Sequence, residues 1–73
     1  MNKQHHFSET RKENLKEVLE LVQKNGPVSQ NKIIGLIDWY LGKTEKTALT
    51  YLRTLQATDL IKWNDKKKVW KIA

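Results

Sequence analysis

The sequence predicts one α+β domain, mainly helical, in which three helices are followed by a C-terminal β-hairpin. Three observations predict it. Apolar residues recur at helical spacing in three stretches; Asn25-Gly26-Pro27 and Gly42-Lys43-Thr44 separate those stretches; and from Ile61 to Ile72 the pattern changes to alternation about a lysine-rich turn. A chain of 73 residues makes one domain, near the lower limit at which a core folds without disulfides, a metal or a partner. Self-association therefore belongs among the expectations.

The first helix is expected to start at Ser8 or Thr10, after a flexible segment 1–7, and to open a domain spanning residues 8–73. Leu15, Val18, Leu19 and Val22 fall at i, i+3, i+4 and i+7 and so share one face. Thr10 with Glu13 fits a capping box, and Ser8 is an equal candidate for the cap. Arg11, Lys12, Glu13, Lys16, Glu17, Glu20 and Lys24 are balanced in sign and are assigned to the opposite, solvated face. Gly26 accepts the left-handed conformation that ends a helix, and Pro27 cannot continue the backbone hydrogen bonds.

Val28 suits a short strand, and Ser29 a helix N-cap, giving a second helix that runs to about Leu41. On a helical wheel Ile33, Ile34, Ile37, Tyr40 and Leu41 cluster on one side, Leu36 lies on the flank, and Trp39 points away. Either Gly35 bends the helix and Trp39 packs inward, or Trp39 is an exposed subunit contact. After the turn at Gly42-Lys43, Thr44 caps a third helix with Glu45 in its first turn, where a carboxylate suits the helix dipole. Ala48, Tyr51, Leu52 and Leu55 make its buried stripe. Lys46, Thr50, Arg53 and Ala57 lie opposite, flanked by Thr47 and Thr54. In the hairpin, pairing Trp63 with Trp70 also pairs Ile61 with Ile72, which places these four on one face and Lys62 with Lys71 on the other. The loop is then Asp65-Lys66-Lys67-Lys68.

The net charge of +6 is segregated along the chain. Up to Gly42, Lys3, Arg11, Lys12, Lys16, Lys24 and Lys32 are nearly offset by Glu9, Glu13, Glu17, Glu20 and Asp38. Beyond it, Lys43, Lys46, Arg53, Lys62, Lys66, Lys67, Lys68 and Lys71 face only Glu45, Asp59 and Asp65. A surface of this kind attracts polyanions, and nucleic acid suits it better than a membrane because no strongly amphipathic basic helix accompanies it. No stretch approaches the roughly 18 apolar residues of a membrane span, and no signal-peptide pattern is present. A soluble cytoplasmic protein without membrane partners is expected.

Enzyme classes find little support. The chain has no cysteine, which removes disulfides and thiolate metal sites, and His5 and His6 read as polar terminus in preference to metal ligands. Gly42-Lys43-Thr44 echoes a phosphate-binding loop, yet Ile37 stands where that motif needs glycine. No paired carboxylates or Ser/His arrangement suggest a catalytic centre. The expectation is a binding protein with neither cofactor nor metal.

The segment from Gly42 to Ile61 resembles the winged helix-turn-helix family: a turn glycine, a capping hydroxyl at Thr44, Thr47, the small Ala48, Tyr51-Leu52, Leu55 and then Leu60-Ile61 entering the hairpin. The resemblance covers about residues 8–73 and rests on a pattern of residue types. It departs from the family at Asp59, where glycine is usual, in a second helix about one turn longer, and at Leu49, where polar residues are common. It implies a third helix in the major groove of DNA and a hairpin wing on the backbone or minor groove.

A transcriptional regulator on double-stranded DNA is thus expected. Lys46, Thr47, Thr50 and Arg53 would face the groove, with Arg53 suited to bidentate contact with guanine or to clamping a phosphate. Lys62, Lys66, Lys67, Lys68 and Lys71 would supply charge at the wing, Lys43 in the turn, and Ser29, Gln30 and Lys32 phosphate contacts at the start of the second helix. A homodimer through Leu36, Trp39 or the first helix would set two half-sites about 34 Å apart. The rival expectations are a protein-interaction module presenting Trp39, Leu36 and Leu49, and a single-strand binder stacking bases on Trp63 or Trp70.

Overall fold

Three helices carry a small sheet, in the order α1 (Lys3–Asn25), β1 (Val28–Ser29), α2 (Gln30–Leu41), α3 (Glu45–Ala57), β2 (Ile61–Asn64) and β3 (Val69–Ile72). The computed structural model describes residues 3–73, and their side chains from Thr10 onward. Of the expected flexible segment, residues 1 and 2 lie outside the described residues, as do the side chains of His5 and His6. The layout is that of a winged helix, mainly helical with an antiparallel sheet gathered from the middle and the end of the chain.

α1 starts at Lys3, well before the expected Ser8 or Thr10, so both candidate caps lie inside the helix. The physical reason is an absence: Lys3 to Glu9 holds neither glycine nor proline, and extending an existing helix costs far less than nucleating one. Its other end falls where expected, with the Asn25 side chain donating to the Leu21 carbonyl over 2.7 Å. Ser29 closes β1 and also caps α2, its hydroxyl accepting from the Lys32 N–H over 3.2 Å. α2 ends at Gly42, whose φ of 65° is the left-handed region, with its N–H donating to the Asp38 carbonyl.

Thr44 holds the N-cap position of α3, but its side chain accepts no backbone N–H. The far end of α3 is a Schellman closure, with Leu60 N–H donating to Leu55 and Asp59 N–H to Gln56, both over 3.0 Å. That closure puts Asp59 at φ 64°, where the resemblance leads one to expect glycine. β3 is the central strand, pairing antiparallel with β1 on one side and β2 on the other. The β2–β3 register is the expected one, with Ile61 opposite Ile72, Lys62 opposite Lys71 and Trp63 opposite Trp70.

The core unites Val18 and Val22 of α1, Val28 of β1, Ile33 and Ile37 of α2, Ala48, Tyr51, Leu52 and Leu55 of α3, and Ile61 and Trp70 of the hairpin. The whole expected stripe of α3 is therefore buried. Leu15, Leu19, Ile34, Leu41 and Trp63 of the expected faces are partly buried against this core, and two expected core residues are exposed, Tyr40 at 64% and Ile72 at 40%. Tyr40 has the predicted direction on α2, but it opens onto a groove shared with Glu17, Glu20 and Lys24, which do not close over it. Trp39 points outward from an unbroken α2, which decides between the two alternatives for its direction.

Candidate nucleic-acid interface

Because Ala48, Tyr51, Leu52 and Leu55 all turn inward, α3 presents one clean outer face. Lys46, Thr50, Arg53 and Ala57 are exposed on it, with Thr47 and Thr54 half-buried at its edge. Glu45 is the sole acidic residue of the helix, and it lies in the first turn. A face of this kind carries cations and small side chains with nothing to repel phosphate.

Three threonines here are already engaged as donors, whereas Thr47 accepts from the Thr44 hydroxyl over 3.5 Å. The Thr50 hydroxyl donates to the Lys46 carbonyl over 3.1 Å, Thr54 to the Thr50 carbonyl over 3.0 Å, and Thr58 to the Thr54 carbonyl over 3.0 Å. A carbonyl cannot donate, so each hydroxyl hydrogen is committed to the turn behind it. What Thr50 offers outward is an acceptor lone pair and a methyl group.

Arg11 joins this face from α1. Its guanidinium donates to the Thr54 hydroxyl over 3.3 Å and lies over the Tyr51 ring, 5.8 Å from its centroid. Asn14 adds a bond from its amide to the Tyr51 hydroxyl at 3.2 Å. Sequence reasoning put Arg11 on the solvated side of the helix. Its position four before Leu15 and seven before Val18 in fact continues the apolar stripe, and a long stem with a charged tip can occupy such an edge position.

The hairpin divides its charges. Ile61 and Trp70 are buried toward the helices, so Lys62 and Lys71 stand on the opposite face of the sheet, directly across from one another. Like charges in that arrangement repel, a cost that a phosphate would relieve. At the tip, Lys68 adopts φ 58° and its ammonium meets the Asp65 carboxylate at 3.1 Å, while the Asn64 side chain accepts from the Lys67 N–H. Lys66 and Lys67 remain exposed and have no carboxylate within ion-pair distance among the described residues.

Between α3 and the hairpin lies an open cleft lined by Gln30, Leu49, Leu52, Arg53, Gln56, Trp63 and Trp70. Arg53 thus belongs both to the outer face of α3 and to the wall facing the wing. The two tryptophan rings pack tilted, with centroids 5.1 Å apart, and the Trp70 indole N–H donates to the Gln30 amide oxygen over 3.3 Å. Only 6% of Trp70 is exposed, so its ring offers no stacking platform, whereas Trp63 is half-buried at the cleft. Leu49, half-buried, lines this cleft.

At the start of α2, the Ser29 hydroxyl and the Gln30 amide oxygen hold the fold, through the cap and Trp70, and Lys32 is exposed beside them. Lys43 is half-buried in the turn between α2 and α3. The expected set therefore splits into the α3 face with Arg53, the loop lysines, the outer-face pair Lys62 and Lys71, and the start of α2 with Lys32 and the turn at Lys43; Arg11, outside that set, joins the α3 face. Among the described residues, no three His, Cys, Asp or Glu side chains gather as for a metal ion, and no helix is long and apolar enough to cross a membrane.

No protein-family model matches the chain, and neither a characterised protein nor a solved structure matches it.

Proposed function

We propose that this protein binds double-stranded DNA, without catalysis, and acts in transcriptional regulation. The observation that carries the proposal is the outer face of α3, where Lys46, Thr50, Arg53 and Ala57 are exposed while the opposite side of the helix is wholly buried. An α-helix about 10–12 Å across suits a major groove about 12 Å wide. Arg53 would take bidentate contact with guanine, Lys46 and Arg11 the flanking phosphates, and Lys66 and Lys67 the backbone beyond the groove. A homodimer through the α2 surface at Leu36 and Trp39 would let two such faces read successive half-sites.

Fluorescence anisotropy with a labelled duplex tests this. Binding should weaken steeply with salt, by about 0.9 log unit per log unit of salt for each phosphate neutralised. Arg53→Ala should change which duplexes a random pool yields. Salt-independent binding, or none at low salt, would refute the proposal.

A second proposal draws support from Trp39, 81% exposed, beside Tyr40 at 64%. Neighbouring exposed aromatics suit a protein partner, and winged-helix layouts are not tied to one function. Such binding would be lost in Trp39→Ala and would vary little with salt.

A further inference from the structure

The hydroxyl geometry on α3 bears on what kind of DNA the face prefers. Thr50 sits at its centre, one turn from both Lys46 and Arg53, and its hydroxyl hydrogen is spent on the Lys46 carbonyl at 3.1 Å. Thr54 and Thr58 repeat the arrangement on the Thr50 and Thr54 carbonyls, each at 3.0 Å. Thr54 also receives the Arg11 guanidinium, which occupies one of its remaining lone pairs. The middle of the face is therefore poor in donors. It shows the Thr50 methyl group and, seven residues on, the Ala57 methyl group, both on exposed residues. At about 1.5 Å per residue these lie roughly 10 Å apart along the axis, which matches about three base pairs.

In the major groove, thymine alone of the four bases presents a methyl group, and small apolar side chains recognise it by contact. Cytosine and adenine present amino donors that a threonine lone pair can accept, and guanine presents acceptors alone, which this threonine cannot satisfy. Resting on the DNA-binding proposal above, we infer that α3 selects thymine-bearing major-groove edges through the methyl group of Thr50, with Arg53 reading a neighbouring guanine.

The test uses the best-bound duplex recovered from a random pool, with its thymines replaced one at a time by deoxyuridine, which keeps every hydrogen bond and lacks only the methyl group. At one position or more, wild-type affinity should fall about fourfold, the worth of one buried methyl group. Thr50→Ser, which keeps the hydroxyl and loses the methyl, should bind the thymine and deoxyuridine duplexes alike at that position. Thr50→Val, which loses the hydroxyl, should keep the discrimination; it also shows whether any change in Thr50→Ser reflects misfolding. Equal affinity of the wild type for thymine and deoxyuridine duplexes would overturn the inference while leaving DNA binding intact, as would a pool with no preferred sequence. Absence of duplex binding at low salt would overturn the DNA-binding proposal, and this inference with it.

Discussion

Three consecutive lysines at the hairpin tip make a prediction that only the structure separates. The Lys68 ammonium sits 3.1 Å from the Asp65 carboxylate, so that pair presents no net charge to a phosphate. An exposed ion pair is weak and can be given up, but doing so leaves a carboxylate facing the polyanion. Among the described residues, Lys66 and Lys67 carry no such tie. If both neutralise phosphates, replacing them with glutamine should lower the salt slope by about 1.8, from about 0.9 per contact. Over a rise from about 50 to 200 mM salt, a slope of 1.8 corresponds to about a twelvefold change in affinity. The double variant should therefore lose about twelvefold less affinity than the wild type across that range. Asp65→Asn/Lys68→Gln, which removes the pair together and leaves no bare carboxylate, should change the slope by much less than one contact. Anisotropy titrations at four or five salt concentrations give each slope directly. Two results would refute the reasoning: an unchanged slope in Lys66→Gln/Lys67→Gln, which removes the wing from the interface, or a full-contact loss in Asp65→Asn/Lys68→Gln, which denies the ion pair its role.

Three further outcomes concern the scaffold and its outer surface. Trp70→Phe deletes the indole N–H that reaches Gln30 and reduces the contact with Trp63, and should cost about 1–2 kcal/mol in chemical denaturation. Asp59→Gly relieves a left-handed residue at the end of α3 and should stabilise by about 0.5–1 kcal/mol, seen as a rise of several degrees in Tm; a fall would contradict the strain assigned there. Trp39→Ala removes a side chain that is 81% exposed, so monomer stability should move by less than about 0.5 kcal/mol, while sedimentation should show loss of any dimer. A dimer unchanged by that substitution would place its interface elsewhere.

The hairpin was the most legible part of the chain, because strict alternation with two tryptophans and two isoleucines allows one register that buries like with like. The buried stripe of α3 was legible for the same reason at helical period. What periodicity does not carry is depth. Tyr40 and Ile72 point where the pattern puts them, yet both stay exposed, because burial depends on how far neighbouring elements reach and what they present there. The start of α1 was missed since nothing in Lys3 to Glu9 marks a beginning, and a helix continues until something stops it. Arg11 is exposed, as its charge argued, but its contact was missed: only the structure shows the guanidinium lying over Tyr51.

The candidate site was legible in its residues and not in its chemistry. A threonine on an exposed helical face can turn its hydroxyl outward as a donor or back onto the carbonyl four residues earlier, and the sequence is the same in both cases. Here Thr50, Thr54 and Thr58 all turn back, so Thr50, between Lys46 and Arg53, shows a methyl group and an acceptor in place of a donor. That exchange alters the expected specificity more than any change in the list of residues would. On the DNA-binding proposal, Lys46 would hold any duplex through its phosphates, Arg53 would read a guanine, and the remaining discrimination would come from what lies between them. With its hydrogen withdrawn, Thr50 would discriminate through an acceptor lone pair and a methyl group, and the C5-methyl of thymine is the feature of the groove that such a methyl group would meet.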